Sequence, residues 1–151
     1  FDRPSGERAN YYWLAPADAA TIVAVEDGEL LFVRQYRPRH RTETLELPTG
    51  GVDADESPRE TAHRELREET GFEAGSTALL EDFWCSTGVL RHRRGFVFAT
   101  DLTPVEQNLD ENEFLSVHTV PVADAIDVAR SQPTNDATVE GVLLAREEGL
   151  L

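Results

Sequence analysis

The chain contains no lysine and no methionine, and its single cysteine is Cys85. One cysteine excludes an intrachain disulfide framework and suits a reducing cytoplasm, with Cys85 read as a small core residue on a strand. No apolar run approaches the roughly 18 residues a membrane span needs, and no signal peptide shows at the start. With Phe1 first and no methionine anywhere, the native first residues are expected to precede Phe1. Internal repeats, low-complexity linkers and compositional breaks are also missing, so residues 1–151 are expected to form one domain. An apolar content of 40% excludes a disordered chain.

All 14 basic residues are arginine, against 29 acidic ones, for a formal net charge of −15. A surface this negative repels nucleic acid backbones and anionic membranes, which excludes both as partners. Arginine in place of every lysine on an acid-rich chain resembles the proteins of salt-accumulating halophiles. In molar salt the Debye length is about 3 Å, so surface repulsion largely vanishes. Glutamate density alone therefore marks nothing; only spacing can mark a site.

ATIVAV (20–25) and ELLFVRQY (29–36) predict strands joined by a hairpin turn at Glu26-Asp27-Gly28. NYYWLA (10–15) predicts an earlier strand, and TLELP (44–48) a short one stopped by Pro48. Further strands are expected near 80–86, 94–100 and 114–121, and helices over about 122–131 and 135–148. Strands interleaved with few helices predict an α/β fold: a mixed sheet covered on both faces, an α/β/α sandwich.

The segment ELPTGGVDADESPRETAHRELREETGF (46–72) places Glu56, Glu60, Glu65, Glu68 and Glu69 within fourteen positions. Ser57 is a strong helix N-cap, Pro58 suits the first helical position, and Glu60 completes a capping box. Gly71 marks the stop. On that helix Glu65, Glu68 and Glu69 stand at i, i+3 and i+4 and share one face. Converging carboxylates beside a turn backbone form a hard, oxygen-only cluster, which is what Mg²⁺ takes. Arg64 is placed to hold one carboxylate in its rotamer. The Gly50-Gly51 pair lets the entering loop turn sharply and bring the carbonyl of Thr49 or Gly50 to the metal.

Gly50, five residues, Glu56, seven residues, then Arg64-Glu65-Leu66-Arg67-Glu68-Glu69-Thr70-Gly71-Phe72 resembles a complete Nudix box, with every fixed position filled. The resemblance implies the Nudix fold and Mg²⁺- or Mn²⁺-dependent hydrolysis of a nucleoside diphosphate linked to another group. It implies Glu65, Glu68 and Glu69 as metal ligands, joined by the Thr49 carbonyl, with Glu56 behind them. Arg64 would orient the cluster, and Glu68 and Arg64 would count among the catalytic residues.

The flanks narrow the substrate. LLFVRQYRPRHRTETLELPTGG resembles the ADP-ribose pyrophosphatase branch, with Thr49 where that branch usually has alanine. DENEFLSVHTVPVADAIDVARSQPTNDATVEGVLLA resembles the branch's C-terminal third. By that likeness Glu113, or Glu111 two residues earlier, would activate water from an acidic loop. Arg37 would contact a phosphate or the adenine, and Glu46 the adenine amino group or a ribose hydroxyl. Arg34 lies three positions from Arg37 and so falls on the other strand face.

One departure opens an alternative. Where the branch carries an acidic residue after its turn, this chain has Arg91-His92-Arg93-Arg94. Three arginines there could steer a substrate richer in phosphate, a nucleoside triphosphate or a dinucleoside polyphosphate. His92 has no partner at metal-ligand spacing. A third function, a non-catalytic nucleotide-sugar sensor, goes with lost box glutamates, and this box is intact. The likeness also implies a homodimer, with YYWL (11–14) as interface or as core.

Overall fold

The computed structural model describes residues 1–109 and 114–151. Alternation in the apolar runs builds the molecule's two cores. In β1 (Ala19–Glu26), Ile22 and Ala24 face one side of the sheet and Val23 the other. In β2 (Glu29–Arg37), Leu31 faces the first side and Leu30 and Phe32 the second. Period-two alternation with both faces apolar requires a cover on each side.

The remaining strands are β3 (Thr42–Glu46), β4 (Thr49–Gly51), β5 (Phe72–Trp84), β6 (Arg93–Pro104) and β7 (Leu115–Pro121). They form a mixed seven-stranded sheet in the order β3-β2-β1-β6-β5, with β4 added to β1 and β7 to β2. The β1–β6 pair is parallel and the others are antiparallel. Helix α1 (Pro58–Glu65) and the π-helical turn Leu66–Thr70 cover the first face through Ala62 and Leu66. Helices α2 (Ala125–Ala129) and α3 (Asp136–Glu147) cover the second through Ala125, Ala129, Val142 and Ala145. The expected sandwich is present, with β1 and β2 at its centre.

Three expectations are corrected. Residues 10–15 form no strand: a lone bridge joins Leu14 to Leu90, and Tyr11, Tyr12, Trp13 and Leu14 stay exposed. Their aromatic, β-prone composition finds no neighbouring strand to complete a ladder. The TLELP stretch is broken rather than continuous. Strand β3 stops at Glu46 and the chain re-enters the sheet on β1 as β4, which Pro48 permits because only its carbonyl is used, accepting from Ile22 N at 2.9 Å. Helix α2 is shorter than 122–131, being a 3₁₀ turn at Val122–Asp124 followed by five α-helical residues. Both ends of the helical segment Pro58–Thr70 follow expectation. Ser57 and Glu60 form the reciprocal capping box, and Gly71 closes the segment at φ 70 in the left-handed region.

Candidate active site

The loop-to-helix segment delivers three carboxylates and one backbone carbonyl to one guanidinium. Arg64 donates from Nε to Glu56 Oε1 and from Nη2 to Glu56 Oε2, both at 3.0 Å. Its Nη1 reaches Glu65 Oε1 at 2.7 Å and Glu68 Oε2 at 3.2 Å, and Nη2 also donates to the Gly51 carbonyl at 2.9 Å. A planar fork suits this task in a way a lysine would not. The Arg64 fork and the Thr61 hydroxyl hold the Glu56 carboxyl down to about 2, against a smaller opposing effect of burial. The same carboxylates raise Arg64 above its ordinary value.

The π-helical turn changes the face on which the box glutamates stand. Bonding from i to i+5 inserts an extra residue into the turn, and Thr70 Oγ1 bonds back to the Leu66 carbonyl within it. The outcome is an asymmetric trio. Glu65 and Glu69 are 9% and 4% exposed, whereas the Glu68 side chain is 38% exposed and faces outward. Glu69 Oε2 accepts from the Thr49 amide at 3.2 Å. Thr49 thus touches the trio through its N–H, while its Oγ1 bonds to Thr21 and to the Leu47 carbonyl.

Gly50 serves a different purpose from the one expected. Its φ is not positive, so no sharp turn is at stake; a Cβ there would lie 1.8 Å from Glu65 Cδ. The bare Cα is what admits the Glu65 carboxylate against β4.

The donor chemistry fits a hard divalent cation: oxygen only, on a rigid helix, with the Gly50 cradle open to Glu65. Among the described residues no three His, Cys, Asp or Glu side chains are gathered closely enough to hold a metal. Arg64 instead holds Glu65 and Glu68 in this conformation.

On the strand side, Arg37 and Glu46 form a fork-to-fork pair across β2 and β3. Arg37 Nε meets Glu46 Oε1 at 3.1 Å, Nη2 meets Oε2, and the Thr44 hydroxyl donates to Oε1. Glu46 is 2% exposed. Burial pushes its carboxyl up, but Arg37 and Thr44 together bring it below the usual range. Arg37 is raised, chiefly by Glu46, with Glu69 contributing. Arg34 lines a different cleft, as strand alternation requires.

Two of the three arginines in the 91–94 run are committed to carboxylates, while Arg91 is exposed and makes no ion pair among the described residues. Arg93 is paired with Asp82 at 3.0 Å, and Arg94 reaches Asp136 and Glu140 at 3.4 and 3.3 Å. His92 is buried, its Nδ1 2.7 Å from the Ala17 carbonyl. Glu111 and Glu113 lie outside the described residues.

Sequence reasoning missed several supporting groups. Thr61 and the Gly51 carbonyl complete the Arg64–Glu56 hub. Gln107 Nε2 donates to the Glu69 carbonyl, and the Asn108 amide to the Glu68 carbonyl at 3.2 Å, tying the chain just ahead of residue 110 to the helix end. The signal for these last two was Gly71, because a left-handed stop leaves helix carbonyls to be satisfied from elsewhere.

Residues 15–143 match the family model described as NUDIX domain. The chain is similar to the ADP-ribose pyrophosphatase of Bacillus subtilis strain 168, with 34% identity over 125 residues, 81% of this chain and 67% of that protein. It is similar to the ADP compounds hydrolase NudE of Escherichia coli strain K12, with 31% identity over 146 residues, 95% and 78% of the two chains. A crystal structure of an ADP compounds hydrolase superposes with a TM-score of 0.87 at 30% identity, covering 98% of this chain and 84% of that one.

Proposed function

This chain belongs to the Nudix family of hydrolases, and on that premise we propose that it hydrolyses the pyrophosphate bond of an ADP-linked compound, foremost ADP-ribose, to AMP and ribose 5-phosphate. The observation that carries the reading is the Arg64 hub, which fixes Glu56, Glu65 and Glu68 around one guanidinium beside β4. The similarity to ADP-ribose and ADP-compound hydrolases supports the substrate class.

Glu65, Glu68, Glu69 and the Thr49 carbonyl would hold Mg²⁺ or Mn²⁺. Bound there, the ion would neutralise charge on the leaving oxygen and ready a water for attack. Arg64 keeps the carboxylates oriented, and Glu56 keeps Arg64 in place. Glu113 or Glu111 would take the proton from the attacking water; in the sequence they come five and three residues after Asn108, whose amide donates to the Glu68 carbonyl. Arg37 would neutralise a substrate phosphate. Glu46, with both oxygens engaged, would act on substrate through Arg37 rather than by direct contact.

We read residues 1–151 as one domain working in a salty, reducing cytoplasm, on the strength of the net charge of −15 and the lone buried Cys85. Exposed Tyr11, Tyr12, Trp13 and Leu14 would supply apolar surface for a homodimer. The alternative, a preference for triphosphates or dinucleoside polyphosphates, would rest on Arg91, since Arg93 and Arg94 are committed to ion pairs. Turnover rates for ADP-ribose, a nucleoside triphosphate and diadenosine triphosphate, compared in molar KCl with Mg²⁺, test the assignment. ADP-ribose fastest supports it, and a triphosphate fastest overturns it.

A further inference from the structure

The last turn of the helical segment Pro58–Thr70 leaves carbonyls facing the chain that follows β6. Gly71 turns into the left-handed region at φ 70, so the helix itself sends them no further N–H groups. Residues 105–108 supply donors instead. Val105 N donates to the Gly71 carbonyl at 2.8 Å and Asn108 N to the Glu68 carbonyl at 3.2 Å, while Gln107 Nε2 donates to the Glu69 carbonyl. Of these three bonds only the one from Gln107 comes from a side chain, so it alone depends on residue type. The approach is close: a Cβ on Gly71 would lie 3.2 Å from the Val105 carbonyl oxygen and 3.3 Å from Gln107 Cβ. Gln107, Asn108, Arg64 and Glu68 border one open cleft of about 790 Å³, so this strut stands beside the box glutamates.

The carbonyls held by Gln107 and Asn108 belong to neighbouring residues whose side chains point differently. Glu69 is 4% exposed, and the Glu68 side chain 38%. That disposition comes from the π turn Leu66–Thr70. Such turns are rare, and a return to bonding from i to i+4 would rotate the later side chains by about 100° around the axis. The Glu68 and Glu69 carbonyls lie in the two peptide planes that flank the Glu69 Cα. Fixing both planes fixes the direction of the Glu69 Cα–Cβ bond.

We propose that Gln107 is a positioning residue of the hydrolytic centre: its amide holds the Leu66–Thr70 turn in the π form and so keeps Glu69 turned inward as a metal ligand. The inference rests on the metal-dependent hydrolase reading above. Glutamine suits the task because its amide nitrogen donates, whereas an ionised glutamate of the same length would only accept.

The test compares wild type, Gln107→Met, which keeps the side-chain length without the donor, and Glu106→Gln, a change at the exposed neighbour in the same strut. Mn²⁺ affinity of the full chain is measured by electron paramagnetic resonance, beside the thermal midpoint and kcat and KM for ADP-ribose at saturating Mg²⁺. The expected result is Mn²⁺ binding about fivefold weaker in Gln107→Met, as for one net hydrogen bond. Its kcat should fall by a similar factor with KM unchanged, and Glu106→Gln should lose less Mn²⁺ affinity. Equal Mn²⁺ affinity in wild type and Gln107→Met would overturn the proposal, even with a lower thermal midpoint, because the role would then be structural alone. A loss in Glu106→Gln as large as in Gln107→Met would overturn it too, by tracing the effect to the strut's charge or packing. So would a wild type that binds no Mn²⁺. Failure of the enzymatic reading is separate: it would show as wild type that binds Mn²⁺ yet releases no AMP from any ADP compound.

Discussion

The Arg64 guanidinium grips Glu56 with two parallel hydrogen bonds of 3.0 Å, eight residues back along the chain and on the loop side of the helix cap. That pair locks the loop to the helix, and the remaining nitrogen of the same group orients Glu65 and Glu68. Arg64→Lys retains the charge but loses the fork. It is expected to lower kcat/KM about 10- to 100-fold, the range for residues that orient metal ligands. Mg²⁺ titration of activity should shift to higher concentration by a similar factor. Unchanged Mg²⁺ dependence in Arg64→Lys would show that the hub is only structural.

Gly50→Ala puts a methyl group where Glu65 stands, at 1.8 Å from its Cδ. The flexible glutamate can retreat, so the protein is expected to fold. Its metal-dependent rate should nevertheless fall at least about a hundredfold, since a small misplacement near the chemistry has that effect. Circular dichroism beside a rate assay checks both halves of the expectation.

The Arg37–Glu46 pair makes stability depend on pH. Glu46 titrates below its ordinary value in the folded protein. Its contribution is therefore fully present above the unfolded value, near 4.3, and is lost as pH falls through the lower folded value. Urea midpoints should drop for wild type below about pH 4.3 more steeply than for Glu46→Gln. Arg37→Ala leaves a buried carboxylate without its partner. Because the Arg37 side chain is 39% exposed, a loss of about 1–3 kcal/mol is expected at pH 7, short of the 3–5 seen for fully buried pairs.

Net charge sets a further expectation. With 29 acidic against 14 basic residues, screening should stabilise the fold. The thermal midpoint is expected to rise steadily from 0.1 M to about 2 M KCl, and a flat or falling curve would remove the halophilic reading.

The helix that carries the chemistry was legible in the sequence because Ser57, Pro58, Glu60 and Gly71 are local signals with local causes. The two-sided core was legible in the alternation of Ile22, Val23 and Ala24. The π turn at Leu66–Thr70 was not, since helix-forming residues carry no mark of i to i+5 bonding, and it decides which glutamate faces outward. The Arg37–Glu46 fork depends on the register of β2 against β3, which no single strand announces. The neutralisation of Arg93 and Arg94 is likewise a matter of tertiary neighbours, because Asp82, Asp136 and Glu140 are remote in the chain. The exposed aromatics at 11–13 show the limit of propensity: strand-forming residues make no strand without a partner edge.

The most direct test of the central claim is AMP release from ADP-ribose by wild type and Glu68→Gln, each with Mg²⁺ and again with excess EDTA. The account predicts AMP and ribose 5-phosphate in equal amounts from wild type with Mg²⁺, none with EDTA, and a rate at least about 10² lower for Glu68→Gln. Full activity in Glu68→Gln, or turnover that survives EDTA, would contradict it.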